Sequence, residues 1–177
     1  MMEFYATADG VYAGQHDVAP GGCTAVPIPP ERADKIWDGT AWTDRPASLE
    51  DLRAVKLAAI SSAADALLAS GAPVSGGLHI ALDDGSRSDL TAMAATATAA
   101  SAGAVSWPDS YSRGWITIEN IRIPLATPAA GLTLAASVGE YYAAVVQHRR
   151  DLKDAALAAV DAAALDAIDP SSGWPAA

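Results

Sequence analysis

Apolar positions recur at helical spacing from Leu49 onward. Leu49, Leu52, Ile60, Ala63 and Leu67 fall on one face of a continuous turn pattern. Ser48-Leu-Glu-Asp51 has the form of an acidic capping box, and Gly71 with Pro73 supplies the stop, so a helix is expected over 48–71. The period then drops to two. Leu78-His79-Ile80-Ala81-Leu82 alternates strictly, turning Leu78, Ile80 and Leu82 to the core and His79 to solvent, and Val74 with Gly76-Gly77 makes this a short hairpin. Ser86-Arg-Ser-Asp89 is expected to cap a second helix of Ala and Thr reaching about Ala102.

A second β unit spans Trp115 to Leu125. Ile116 and Ile118 share one face, and Ile121, Ile123 and Leu125 share another. A two-residue turn at Glu119-Asn120 reconciles them by pairing Ile118 with Ile121 and Ile116 with Ile123. Thr127 to Gly131 reads as a linker to the longest helix, from Thr133 or Ser137 to Ile168, with Ser137 and Glu140 as its capping box. Val138, Val145, Leu152 and Ala159 repeat every seven residues, and Tyr141, His148, Ala155 and Ala162 hold the other heptad position. Such a seam either covers its own domain or joins copies of the chain. Asp169-Pro170 ends it.

The first 47 residues differ in texture, being Pro/Gly-broken and aromatic. Asp9-Gly10 and Asp38-Gly39 are hairpin signals. Phe4-Tyr5 is expected to pair with Val11-Tyr12 around the first. If Gly39-Thr40 forms the second loop, Trp37 lies opposite Trp42. The expected architecture is therefore α+β: a small N-terminal β arm over 1–47, then an Ala-rich helical body over 48–177 with two short β-hairpins and a long C-terminal helix.

Composition narrows the function. With 21 acidic and 11 basic residues, the formal charge of −10 argues against nucleic acid, which requires clustered Lys and Arg. Alanine supplies about a quarter of the chain and Phe occurs once, so the core is expected to be thin. The lone Cys23 rules out an intramolecular disulfide. The start carries no signal-peptide pattern, and the charge-free stretch Leu90–Trp107 is too weakly apolar to insert, so no membrane insertion is expected. His16, His79 and His148 lack metal-ligand spacing, and Asp83-Asp84-Gly85-Ser86 lacks the alternate acids and closing Glu of a calcium loop, so Asp83-Asp84 reads as a strand end and helix cap. Asp161, Asp166 and Asp169 read as a solvated face, and His148 as a seam histidine. No catalytic, cofactor or metal site is expected, nor an enzyme. The candidate contact residues are Tyr12, Trp37 and Trp42. The indole pair stabilises its own hairpin, anchors a protein partner, or stacks on a glycan.

Several segments resemble a domain family of otherwise unknown function in tailed-bacteriophage and prophage tail proteins. They are Gly114-Trp-Ile-Thr-Ile-Glu-Asn-Ile-Arg-Ile-Pro-Leu-Ala-Thr-Pro128, Val138-Gly-Glu-Tyr-Tyr142, His148-Arg-Arg-Asp-Leu-Lys153 and Ile168-Asp-Pro-Ser-Ser-Gly-Trp-Pro175. Trp37-Asp-Gly-Thr-Ala-Trp42 is similar to short β segments at the start of phage fibre and fibre-assembly proteins. The resemblance implies a structural subunit of the tail tip, baseplate or fibre, docked through its arm, or else a tail-fibre assembly chaperone absent from the mature particle. It implies a protein made in the bacterial host cytoplasm and located in the virion tail. Its partners would be other tail proteins and further copies of itself, with a host-surface glycan as a third class. The resemblance assigns no functional residues.

Overall fold

The computed structural model describes residues 2–176. The protein is α+β and divides into two compact units, Met1–Ser48 and Leu49–Ala177.

In the first unit β1 (Glu3–Thr7) lies between β2 (Tyr12–His16) and β3 (Cys23–Val26) in an antiparallel sheet. Tyr5, Ala6 and Val26 are its buried residues of greatest apolar weight. The hairpin around Asp9-Gly10 forms, but in another register from the one expected. Tyr12 faces Ala6, and an irregularity between Tyr5 and Ala6 shifts Tyr5 to Gly14. The third strand, β3, was not expected; it sits between Gly21-Gly22 and Pro27, which masked it as loop. β4 (Lys35–Trp37) and β5 (Trp42–Asp44) form a separate hairpin with Trp37 opposite Trp42. Asp38 Oδ1 accepts the Thr40 and Ala41 N–H groups at 2.8 Å each and fixes that turn.

The second unit opens with α1 (Leu49–Ser70), followed by the hairpin β6 (Ala72–Val74) and β7 (Leu78–Ile80). α1 buries Ile60 and Ala64, flanked by Leu57, Leu67 and Leu68. The inward face is thus one position off from the expected Ala63, and Leu52 stays 37% exposed. α2 (Asp84–Ser101) is capped by Asp83, as the Asp83-Asp84 pair led one to expect and not by Ser86; its Oδ1 accepts from the Ser86 N–H at 2.9 Å. A short turn, α3 (Asp109–Ser112), precedes β8 (Trp115–Ile116) and β9 (Arg122–Ile123).

Two expectations fail in this half. The β8–β9 register pairs Trp115 with Ile123 and Ile116 with Arg122, one residue away from the expected pairing. The loop has three residues instead of two, because Asn120 adopts a left-handed conformation (φ 59°). A one-residue slip exchanges the faces: Thr117 is buried, while Ile116, Ile118 and Ile121 are each 50% exposed. The long helix also starts and ends early. α4 spans Pro128–Ala158, with Thr127 as N-cap and Pro128 in the first turn, where a missing N–H costs nothing. Ser137 lies inside the helix and donates to the Leu134 carbonyl instead of capping. The chain breaks at Ala159 and resumes as α5 (Ala162–Asp166).

The buried seam of α4 is Leu134, Val138, Tyr141, Val145 and Ala156. It faces α1, α2 and β6, so it covers its own unit. Ala156 replaces the expected Ala155 because a straight helix advances 3.6 residues per turn and drifts off a seven-residue repeat. By length and composition α4 is long and apolar enough to cross a bilayer, a test that core helices also pass. Ile60, Ala156, Ala159 and Leu165 form a second, smaller core where α5 folds back on α1.

Candidate docking site

Tyr12, Trp37 and Trp42 come together in the first unit. Trp37 and Trp42 meet edge to face with ring centroids 5.5 Å apart, and Tyr12 meets Trp42 at 5.9 Å. All three are half-buried, so part of each ring stabilises the unit and part faces out. The cluster is anchored from the backbone. The Trp37 N–H donates to the Gly10 carbonyl at 2.8 Å, and a Cβ on Gly10 would sit 2.5 Å from the Trp37 carbonyl oxygen. Only glycine lets β4 approach the first turn so closely, and its φ of +78° disfavours other residues on conformational grounds too.

The Trp42 indole N–H donates to the Ile28 carbonyl at 2.8 Å, drawing the Pro27–Pro30 segment over the hairpin. A cavity of about 320 Å³ results, lined by Pro27, Ile28, Pro29, Glu31, Lys35, Trp37, Thr40, Ala41 and Trp42. Lys35 donates to Asp44 at 2.8 Å and holds that carboxyl below the usual carboxylate range. The turn amides of Ala41 and Thr40 do the same for Asp38.

In the second unit several polar side chains serve the fold. Arg53 donates to the carbonyls of Ala156 (3.1 Å) and Ala159 (2.9 Å), capping the C-terminal end of α4, and Lys56 donates to the Ile168 carbonyl at 2.7 Å. Sequence reasoning missed both, since only the fold brings residue 53 beside residue 156. The acids read as a solvated face, Asp161, Asp166 and Asp169, are all exposed, and two of them also cap backbone turns. Asp161 accepts from the Ala164 N–H, and Asp169 accepts from Ser171, which lowers the Asp169 pKa.

His79 does not point freely to solvent. Glu119 accepts its ring N–H at Nδ1 (2.8 Å) and its backbone N–H (3.0 Å), and the Ile118 N–H donates to the His79 carbonyl, tying the two hairpins together. His148, expected on the seam, sits at its edge. It donates to the Ser172 carbonyl at 2.9 Å and meets the Trp174 ring edge to face at 4.6 Å, holding the C-terminal turn down. Arg87 pairs with Asp84 and lies over the Tyr142 ring, 4.6 Å from its centroid. A groove of about 600 Å³ between α1 and α5 has apolar walls apart from Lys56, already engaged, and Asp166. Among the described residues no group of three or more His, Cys, Asp or Glu is placed to hold a metal ion.

These features define an α+β domain with a β appendage, several of the domain's polar groups committed to caps and ties and the appendage's aromatic corner left partly open. Residues 51–169 match the family described as Domain of unknown function (DUF4376), and the chain belongs to that family. The match lies within the second unit and leaves the aromatic corner outside it. No curated protein and no solved structure matches the chain significantly.

Proposed function

We propose that this protein is a non-enzymatic structural subunit of a bacteriophage tail, in the tip, baseplate or fibre, docked through its N-terminal unit. The observation that carries the reading is the division of labour in the second unit. Arg53, Lys56, Asp83, Asp161 and Asp169 serve backbone caps and turns and Glu119 ties two hairpins together, while Ile116, Ile118 and Ile121 stand half exposed on one hairpin. That is the pattern of a subunit completed by neighbours, since exposed isoleucines gathered on one hairpin suit a contact site and association stabilises the folded state. The resemblance of residues 114–128 and 138–142 to tail proteins supplies the context. The N-terminal unit offers the outer edge of β3, exposed Val18 and Ile28, and the aromatic corner as docking elements.

The test is mass spectrometry of tailed particles purified from a lysate of the strain that carries the gene. A structural subunit co-purifies with the particles in stoichiometric amount. If the protein is abundant in the lysate but missing from the particles, the structural reading fails and the assembly-chaperone reading takes its place.

A further inference from the structure

The polar groups around the Trp37–Trp42 corner fall into two sets. One set is consumed within the protein: the Trp42 indole N–H by the Ile28 carbonyl, the Thr40 and Ala41 amides by Asp38, and the Lys35 ammonium by Asp44. The other set has no partner among the described residues: the Trp37 indole N–H, the Thr40 hydroxyl and the Glu31 carboxylate, each on a residue that lines the same cavity. These three present a donor, a donor-acceptor and a charged acceptor around an apolar corner.

We propose that this corner is a saccharide site, taking a neutral pyranose or N-acetylhexosamine unit. A pyranose has one face of C–H groups and a rim of hydroxyls, each both donor and acceptor. Two indoles inclined at 63° with centroids 5.5 Å apart give the C–H face a wall to lie on and a second wall to stop it. The rim then meets Glu31, which accepts from hydroxyls, and the Trp37 N–H and Thr40 hydroxyl, which satisfy hydroxyl oxygens. The cavity, about 320 Å³, falls at the low end of small-molecule sites, about 300–1,000 Å³, and suits one or two sugar rings.

Charge selects among sugars. Glu31 lines the cavity, Asp38 closes the adjacent turn, and Lys35, its one cationic wall residue, is neutralised by Asp44. With a chain charge of −10, sialic and uronic acids are repelled. A proline-rich peptide also lies on indoles, but its carbonyls are acceptors and give the Glu31 carboxylate nothing to accept. The corner is held before any ligand arrives, because Gly10 and Trp37 are joined through the backbone and Asp38 fixes the turn.

The experiment is an NMR titration of the full chain, following the indole N–H resonances. The probes are N,N′,N″-triacetylchitotriose and maltotriose, with 3′-sialyllactose and a deca-proline peptide as comparators. A neutral trisaccharide should shift the Trp37 indole resonance saturably, and E31A should weaken it about tenfold while leaving the amide spectrum of the unit folded. T40V, which keeps the shape of the side chain, should weaken binding several-fold. The proposal is overturned if neither neutral trisaccharide shifts Trp37, if E31A and T40V bind as the parent does, or if either comparator binds more tightly. A negative result leaves the tail reading intact, because presence in particles decides that one separately.

Discussion

Glu119 holds His79 at two points, taking the backbone N–H at 3.0 Å and the ring N–H at 2.8 Å, so one carboxylate joins two hairpins far apart in sequence. The backbone N–H is the larger cause, and the side chain the second, of a Glu119 pKa lowered from 4.5 to about 2. A carboxyl with a depressed pKa stabilises the fold above its unfolded value and loses that contribution as pH falls through its folded value. The stabilisation should therefore be complete above about pH 4.5 and gone near pH 2. Thermal melts of the parent and E119Q should differ at pH 6, with the parent melting higher, and converge as the pH falls across that window. A difference that persists unchanged at pH 2 would locate the effect in something other than the charge.

Arg53 does for α4 what a glycine cap does elsewhere. Its guanidinium reaches the Ala156 and Ala159 carbonyls at the point where the helix stops. Charge-assisted hydrogen bonds to otherwise orphaned carbonyls contribute about 1.5–3 kcal/mol, and partial exposure puts this pair toward the low end. Arg53→Ala should lower stability in urea by about 2 kcal/mol. Arg53→Lys should lie between, since an ammonium cannot span both carbonyls with the planar fork. Equal stability of Arg53→Ala and the parent would mean that solvent caps α4 equally well.

That same cap explains what the sequence conceals. Ala155 to Ala167 contains no glycine or proline, so local pattern carries the helix on to Ile168; the break at Ala159 needs Arg53 from α1 and the Asp161 cap on α5. At the other end Pro128 reads as linker chemistry, although the first turn is where a helix tolerates it. The Trp37–Trp42 pairing was legible because an Asp-Gly turn and two aromatics fix the register locally. The β8–β9 register was not, because a left-handed Asn120 adds a loop residue that side-chain alternation cannot report. In the candidate site Tyr12, Trp37 and Trp42 were found from their type. Gly10, Glu31 and Thr40 were missed, since nothing in their spacing brings them to the corner.

Gly131 lets α4 approach the residues around α2. A Cβ there would lie 2.7 Å from the Met93 sulfur and 3.0 Å from Trp107 Cη2. Met93 is fully buried and its sulfur is the contact that must move. Gly131→Ala should cost about 1–2 kcal/mol through overpacking, against a helix-propensity gain of about 1 kcal/mol. In a Met93→Ala background, itself destabilised by about 2–4 kcal/mol, the same substitution should turn neutral or stabilising. A double-mutant cycle by chemical denaturation measures this, and simple additivity would show that Met93 is not the obstacle.

Gly10 should control the aromatic corner through its backbone alone. Gly10→Ala places a methyl 2.5 Å from the Trp37 carbonyl oxygen, on backbone that cannot rotate away, and asks alanine to hold a φ of +78°. Left-handed strain alone costs about 1–2 kcal/mol, and the Trp37 N–H bond to the Gly10 carbonyl is lost if β4 withdraws. In the first unit few side chains are fully buried, so this loss should open the β4–β5 hairpin. The Trp37 and Trp42 indole resonances should collapse toward random-coil positions in Gly10→Ala. Those of Trp107 and Trp115, in the second unit with its own two cores, should stay where they are. If all the indole resonances collapse together, the two units fold as one cooperative body, and the N-terminal unit is part of the domain and not an appendage to it.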